Sequence, residues 1–192
     1  MVETMIYENA VTYVHRILRD VIEPGSVVVD ATIGNGWDTA LMASLVGSDG
    51  LVYGFDVQPI ALEVTKTRIA GLAADVRLTL IGHEEMLNTV DAAHHGAVSA
   101  VTFNLGYLPG GDRDITTHVE TTKRAIEQAR QLLGPDGVIT IVCYRHAEGQ
   151  RELDSVRTLL SEWSQEANTC TETTFLNQAG NPPVVFVVIA KT

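Results

Sequence analysis

Val27-Val28-Val29-Asp30-Ala31-Thr32-Ile33-Gly34-Asn35-Gly36-Trp37-Asp38-Thr39 is the stretch that decides how this chain folds. A β-branched apolar run ending in an acid reads as a buried strand. Gly34 and Gly36 bracket a turn where backbone can approach a small ligand, because glycine has no side chain to block it. A helix start follows at Asp38. About twenty residues after Gly36, a second apolar run, Leu51-Val52-Tyr53-Gly54-Phe55, ends in Asp56, an acid placed to accept from a ribose diol. Strand, turn, helix, strand and acid together point to a nucleoside-type cofactor.

The residues beside the turn narrow the choice. A dinucleotide fingerprint needs a third glycine three positions after the second, where this chain has Thr39. A pyrophosphate also needs a helix N-terminus free to take an anion, and Asp38 would repel it. A carboxylate there suits a cation, and the ammonium and sulfonium groups of S-adenosylmethionine fit. Gly34, Asn35, Gly36 and Asp38 are therefore assigned to the methionine end. Asp30 and Thr39 are counted with them as cofactor-binding, and Asp56 and Gln58 are assigned to the ribose. The plainer alternative makes Asp38 an N-cap and the glycines only shapers of a turn.

The whole chain sets bounds. Its 192 residues, 45% of them hydrophobic, suit a single domain, 1–192, with a substantial core. No linker, repeat or low-complexity tract divides it. No apolar run is long enough to span a bilayer, and Met1 to Glu8 lack the features of a signal peptide. A cytoplasmic protein without membrane contact is expected. Cys143 and Cys170 lie in apolar strand-like runs without CxxC spacing and read as reduced, buried thiols. The six His and two Cys show no ligand spacing, so no metal is expected. A net charge of −11 argues against non-specific binding to long nucleic acid. It leaves room for a short RNA element read by a local basic face. His15, Arg16 and Arg19 form one basic group, which reads best as a solvated helix face. Arg113, His118, Lys123 and Arg124 form a second, and Arg145, His146 and Arg151 a third.

Outward from the opening stretch, strands and helices alternate. Helical spacing of Val11, Val14, Ile17, Leu18 and Val21 predicts a helix over 7–21, ended by Pro24-Gly25. Strands are expected at 27–31, 51–56, 76–81, 97–103 and 138–143. Helices are expected at 38–46, from Pro59, at 116–133 up to Gly134-Pro135, and at 149–163. Two final strands, 170–176 and 184–190, have no helix between them, so the last should run antiparallel. The fold class is α/β: a Rossmann-like, seven-stranded, mostly parallel sheet with one antiparallel strand and helices on both faces.

In such sheets ligands bind beyond the carboxyl ends of the strands, so the residues there carry the chemistry. His83 and Glu84 follow strand three, where they border an adenine or cap a short helix. After strand four, Asn104-Leu105-Gly106-Tyr107 resembles the Asn-Pro-Pro-Tyr motif of amino-methyltransferases. An Asn oxygen and the next backbone carbonyl can accept both N–H groups of an amine and aim its lone pair at a methyl carbon. Tyr107 can stack on a base or pack the core. Gly106 and the adjoining Pro109, Gly110, Gly111, Asp112 and Arg113 read as a substrate-contacting loop or lid, or as a connector with Thr116 and Thr117 as helix caps. Tyr144 and His146 follow strand five, His146 as a base or a surface residue. Asn177 and Gln178 read a base edge or satisfy the last turn.

Three segments carry a wider resemblance: Asp30 to Thr39, Asn104 to Asp112, and Phe175-Leu176-Asn177-Gln178-Ala179-Gly180-Asn181-Pro182-Pro183. Together they resemble the bacterial family labelled putative rRNA methylase, associated with methylating 5-aminomethyl-2-thiouridine at the tRNA wobble position. The resemblance covers nearly the whole chain. It departs at Trp37, where many relatives carry His, and at Tyr144 to Gly149, which is shorter than a glycine-rich Tyr-x-Gly-His run. It implies S-adenosylmethionine as donor, the tRNA anticodon stem-loop as partner and a homodimer. Asn104, Leu105 and Tyr107 would be catalytic. Gly106, Pro109, Gly110, Gly111, Asp112, Tyr144, His146, Asn177 and Gln178 would contact substrate. An rRNA or small-molecule amine acceptor, or a non-catalytic nucleotide-binding module, are the alternatives.

Overall fold

In the computed structural model, residues 8–112, 114–145 and 147–191 are described. Strands β1 (Val27–Asp30), β2 (Leu51–Asp56), β3 (Asp75–Leu80), β4 (Val98–Leu105), β5 (Leu133–Cys143), β6 (Asn168–Thr173) and β7 (Val184–Ala190) form one sheet. Their order is β3-β2-β1-β4-β5-β7-β6. The ladders from β3 through β5 are parallel, and β7 runs antiparallel to both β5 and β6. The chain leaves β1 to one side for β2 and returns to its other side as β4. That reversal opens a crevice outside the carboxyl ends of β1 and β4.

Both faces of the sheet are covered, as a parallel sheet requires. Successive side chains of a strand point to opposite faces, so Val28 and Val29, both wholly buried, serve different cores. Val28 joins Ala10, Val14 and Leu18 of α1 (Ala10–Val21) and Met42, Ala43 and Val46 of α2 (Trp37–Val46). Val29 joins Ala125, Ile126, Ala129 and Leu132 of α5 (Val119–Leu132) and Leu153, Val156 and Leu160 of α6 (Ala147–Ser161). Two further helices, α3 (Pro59–Ile69) and the short α4 (Met86–Thr89), follow β2 and β3. Asn9 opens α1 with a reciprocal capping box to Thr12.

Several expectations are corrected. The helix before β5 starts at Val119 with His118 as its N-cap. Thr116 and Thr117 instead pair back onto the loop after β4: Thr116 bridges Tyr107, and the Thr117 amide donates to Gly106 O at 3.1 Å. Asp38 is not an N-cap, because Gly36, at φ 74°, holds that position and Asp38 lies in the first turn. Gly134-Pro135 falls inside β5, which begins as soon as α5 ends at Leu132. Cys143 is buried, but Cys170 is exposed, since β6 is an edge strand paired only with β7. Arg113 and His146 lie outside the described residues. No helix among the described residues is long and apolar enough to cross a membrane.

Candidate active site

A cavity of about 660 Å³ opens at the carboxyl ends of β1 to β5, within the range of small-molecule sites. A buried acid lies beneath its wall. Asp30 is wholly buried and accepts from the Thr39 hydroxyl at 2.5 Å and from the Thr32 amide at 3.2 Å. Burial, and then the neighbouring Asp38 carboxylate, push its carboxyl up to about 7. Asp30 and Thr39, both fully buried, thus support the turn from beneath and do not line the cavity wall.

The turn itself is built around close approach. Gly36 has φ 74°, and a Cβ there would lie 2.3 Å from the Thr65 hydroxyl of α3, so no larger residue fits. Arg68, also on α3, donates from Nε to Asn35 O at 2.8 Å while its guanidinium stacks 3.2 Å over the Trp37 ring. Asp56, at the end of β2, accepts from the Gly34 amide at 2.9 Å through one oxygen and from the Gln58 amide at 2.9 Å through the other. The acid assigned to the ribose therefore also pins the glycine turn.

The loop after β4 is strapped over this turn. Asn35 donates from Nδ2 to Pro109 O at 3.2 Å, and Leu108 is buried with Ile33, Ala61 and Leu62. Gln58 is buried, and its side-chain oxygen accepts from the Asp112 amide at 3.2 Å. A Cβ on Gly111 would come within 2.7 Å of that oxygen, so the glycine lets the loop lie against Gln58. Gln58 thus clasps the loop and also lines the cavity. Beyond the loop, Glu152 of α6 is buried and accepts from the hydroxyls of Thr117, at 2.7 Å, and Thr122. Thr117 in turn accepts from the Gly106 amide at 2.9 Å.

Asn104 stands at the centre. Its backbone amide donates to the Thr32 hydroxyl at 2.6 Å, and its Nδ2 donates to Asp38 Oδ2 at 2.6 Å. An ionised carboxylate only accepts, so the amide nitrogen must face Asp38 and Oδ1 is left as the acceptor. Asp38 Oδ1 meets His15 Nε2 at 2.6 Å. Both Asp38 oxygens are thus held by protein donors, and the side chain joins the glycine turn to the end of β4. Leu105 is buried, with its carbonyl next along the chain.

His83 is buried, with its ring edge-on to Phe103 at 5.8 Å. Burial lowers its pKa, which favours the neutral ring. Glu84 folds its carboxylate back over Gly82 and, like His83, lines the cavity. Tyr107 and Tyr144, 41% and 39% exposed, reach the mouth. Burial, then Asp38, raises the Tyr144 pKa. Among the described residues no group of three or more His, Cys, Asp or Glu is placed to hold a metal ion.

Not every residue singled out in the sequence converges here. Gln178 lines a separate cavity of about 310 Å³ with Arg145 and Phe175, and its Nε2 donates to Glu8 O. Asn177 is exposed in the same loop. The loop leaves β6 at the same sheet edge, but β6 is four strand positions from β1, about 19 Å at the usual strand spacing. Gly110, Gly111 and Asp112 lie in the strap outside the cavity wall. Conversely, sequence reading missed Arg68 and Glu152, and it placed His15 on a solvated helix face, whereas His15 is largely buried against Asp38 and lines the cavity. His15 alone left a signal: it borders the apolar stripe of α1 and shares a face with Val11, four residues earlier, which also lines the cavity.

Comparison with known proteins agrees with this geometry. The family model described as "Putative rRNA methylase" matches residues 52–189. The chain is 34% identical over 191 residues to the chloroplastic tRNA (mnm(5)s(2)U34)-methyltransferase of Arabidopsis thaliana, covering 94% of this chain and 69% of that protein. Among solved structures, a putative rRNA-methylase from Clostridium thermocellum superposes with TM-score 0.91 at 38% identity, covering 97% of this chain and all of that one. A putative methyltransferase from Streptococcus mutans in complex with SAH superposes with TM-score 0.85 at 31% identity, covering 96% and 99%. By these matches, over more than half of its length, the chain belongs to the putative rRNA methylase family of class I methyltransferases.

Proposed function

We propose that this chain methylates the primary amine of 5-aminomethyl-(2-thio)uridine at the tRNA wobble position, giving 5-methylaminomethyl-(2-thio)uridine. It is a methyltransferase whose donor is S-adenosylmethionine. The chemistry of the residues present suits that group. Asp38 gives negative charge beside a cationic methionine end, Gly34 to Gly36 expose backbone, and Asp56 ends β2 where a ribose would lie. When bound, the donor supplies an electrophilic methyl on a sulfonium.

The observation that carries the reading is the fixed amide of Asn104. Asp38 holds its nitrogen, so Oδ1 and the Leu105 carbonyl are the two acceptors an amine would meet. An amine held by both N–H groups has its lone pair directed away from them, toward the electrophile. The lone pair forms the new N–C bond, the C–S electron pair stays on sulfur, and the resulting ammonium sheds a proton to water. Orientation and exclusion of water supply most of the catalysis. Tyr107, Tyr144 and the strapped loop shape the mouth where the base would enter. The name of the Arabidopsis thaliana relative supports tRNA as acceptor. The cytoplasm and a homodimer complete this reading.

Mass spectrometry of nucleosides from cells lacking the gene is the test. Methylaminomethyluridine should disappear and aminomethyluridine accumulate, while unchanged levels would refute the substrate. One observation favours a second reading: the net charge of −11 suits a small amine better than a polyanion. Isotope-labelled methyl transfer to free amines, with none to tRNA lacking the final methyl, would select it.

A further inference from the structure

His15 belongs to α1, an element that ends at no sheet edge and carries none of the family-like motifs, yet it enters the site. Its Nε2 lies 2.6 Å from Asp38 Oδ1, and Asp38 Oδ2 receives Asn104 Nδ2, also at 2.6 Å. The His15 and Asp38 side chains are only 20% and 13% exposed, so both bonds are largely sheltered from competing water. Charge-assisted bonds of this length are among the strong ones.

The terminal torsions of Asp and Asn are soft, so neither side chain fixes its own plane. With Asn104 as sole donor, the Asp38 carboxylate could swing and carry the amide with it. A second donor on the opposite oxygen sets the carboxylate plane, and that plane sets the tilt of the Asn104 amide. An ionised Asp38 accepts only, so His15 must present Nε2–H, which selects one tautomer for the work.

We propose that His15 is a positioning residue for methyl transfer: through Asp38 it locks the Asn104 amide so that Oδ1 holds the acceptor amine in line with the methyl group. The inference rests on the proposed role of Asn104. His15 neither touches the amine nor takes its proton. It fixes a direction, and a misplacement of about 1 Å near the reacting atoms can lower a rate about a hundredfold.

The test uses H15A, H15N and H15Q in the full chain. Gln can place an amide nitrogen where Nε2 stands, whereas Asn is too short. In H15A and H15N, kcat should fall at least tenfold while KM for the acceptor and the dissociation constant for S-adenosylhomocysteine, by calorimetry, stay within about threefold. H15Q should recover most of kcat. Independently of turnover, NMR of the cofactor-free protein should show the Asn104 side-chain amide resonances shifted by the carboxylate bond in wild type and H15Q, and moved or broadened in H15A and H15N. An unchanged kcat in H15A, or an H15Q no better than H15A, overturns the proposal. So does an Asn104 amide signal indifferent to residue 15. Failure of wild type to methylate tRNA would refute the substrate reading alone, because the NMR series reads the relay without any acceptor.

Discussion

The turn after β1 and the loop after β6 leave the same edge of one sheet, and they have different fates. The first is clamped from four sides: Asp56 on Gly34, Arg68 on Asn35, Thr65 against Gly36 and His15 on Asp38. The second carries Leu176 with 95% of its surface exposed and lines its own small cavity. Both are rich in Asn and Gly and both looked functional in the sequence. The difference is position along the sheet: β1 lies at the point where strand order reverses, and β6 at the far edge. A turn at the switch point has neighbours on both sides to fix it, whereas an edge loop has a neighbour on one side only.

The largest effect should come from N104A, which removes the oxygen proposed to aim the amine. We expect kcat to fall at least a hundredfold with S-adenosylhomocysteine affinity within about threefold. A loss confined to cofactor affinity would break the division between donor turn and acceptor strand. D56A should act on the other side of that division. Loss of the acceptor for the Gly34 amide, and of the one proposed for the ribose, should weaken cofactor binding about ten- to a hundredfold by calorimetry.

A smaller effect tests the buried acid. Asp30 has its pKa raised from 3.8 to about 7, chiefly by burial and next by Asp38. A raised folded-state value means the group favours the fold fully below pH 3.8, and that contribution is lost as pH climbs to about 7. From pH 6 to pH 8 the remaining loss is about 1 kcal/mol, or about 2–4 °C in Tm for a chain of this size. D30N should melt with less dependence on pH over that interval. Equal slopes for wild type and D30N would show that Asp30 is already ionised at pH 6. The smallest effect belongs to the edge loop. Q178A should leave cofactor affinity unchanged and alter KM for tRNA by no more than a few fold. A marked loss of cofactor binding would erase the contrast between the two turns.

Much of the site was legible along the chain. Gly34, Gly36, Asp56, His83, Asn104 and Tyr144 each end or follow a recognisable strand, and parallel strands deliver these residues to one end of the sheet. What stayed hidden were side chains that act across the chain. His15 reaches Asp38 over 23 positions, Arg68 reaches Asn35 over 33, and Thr117 reaches Glu152 over 35. Nothing near them in sequence specifies such partners. The bond of Gln58 to the strap was missed, and Thr116 and Thr117 were misread, for the related reason that a polar side chain beside a turn has several local partners open to it. Which one it takes depends on what packs above it.

Periodicity, glycine placement and the acid at each strand end are local properties, set by side-chain size, backbone freedom and alternation. They were enough for the α/β architecture, the reversed last strand and the class of cofactor. Hydrogen-bond partners are chosen only when distant segments are brought together and water is removed. Tertiary structure alone therefore made Asp30 a buried support, Gln58 a clasp and Asp38 a bridge between His15 and Asn104.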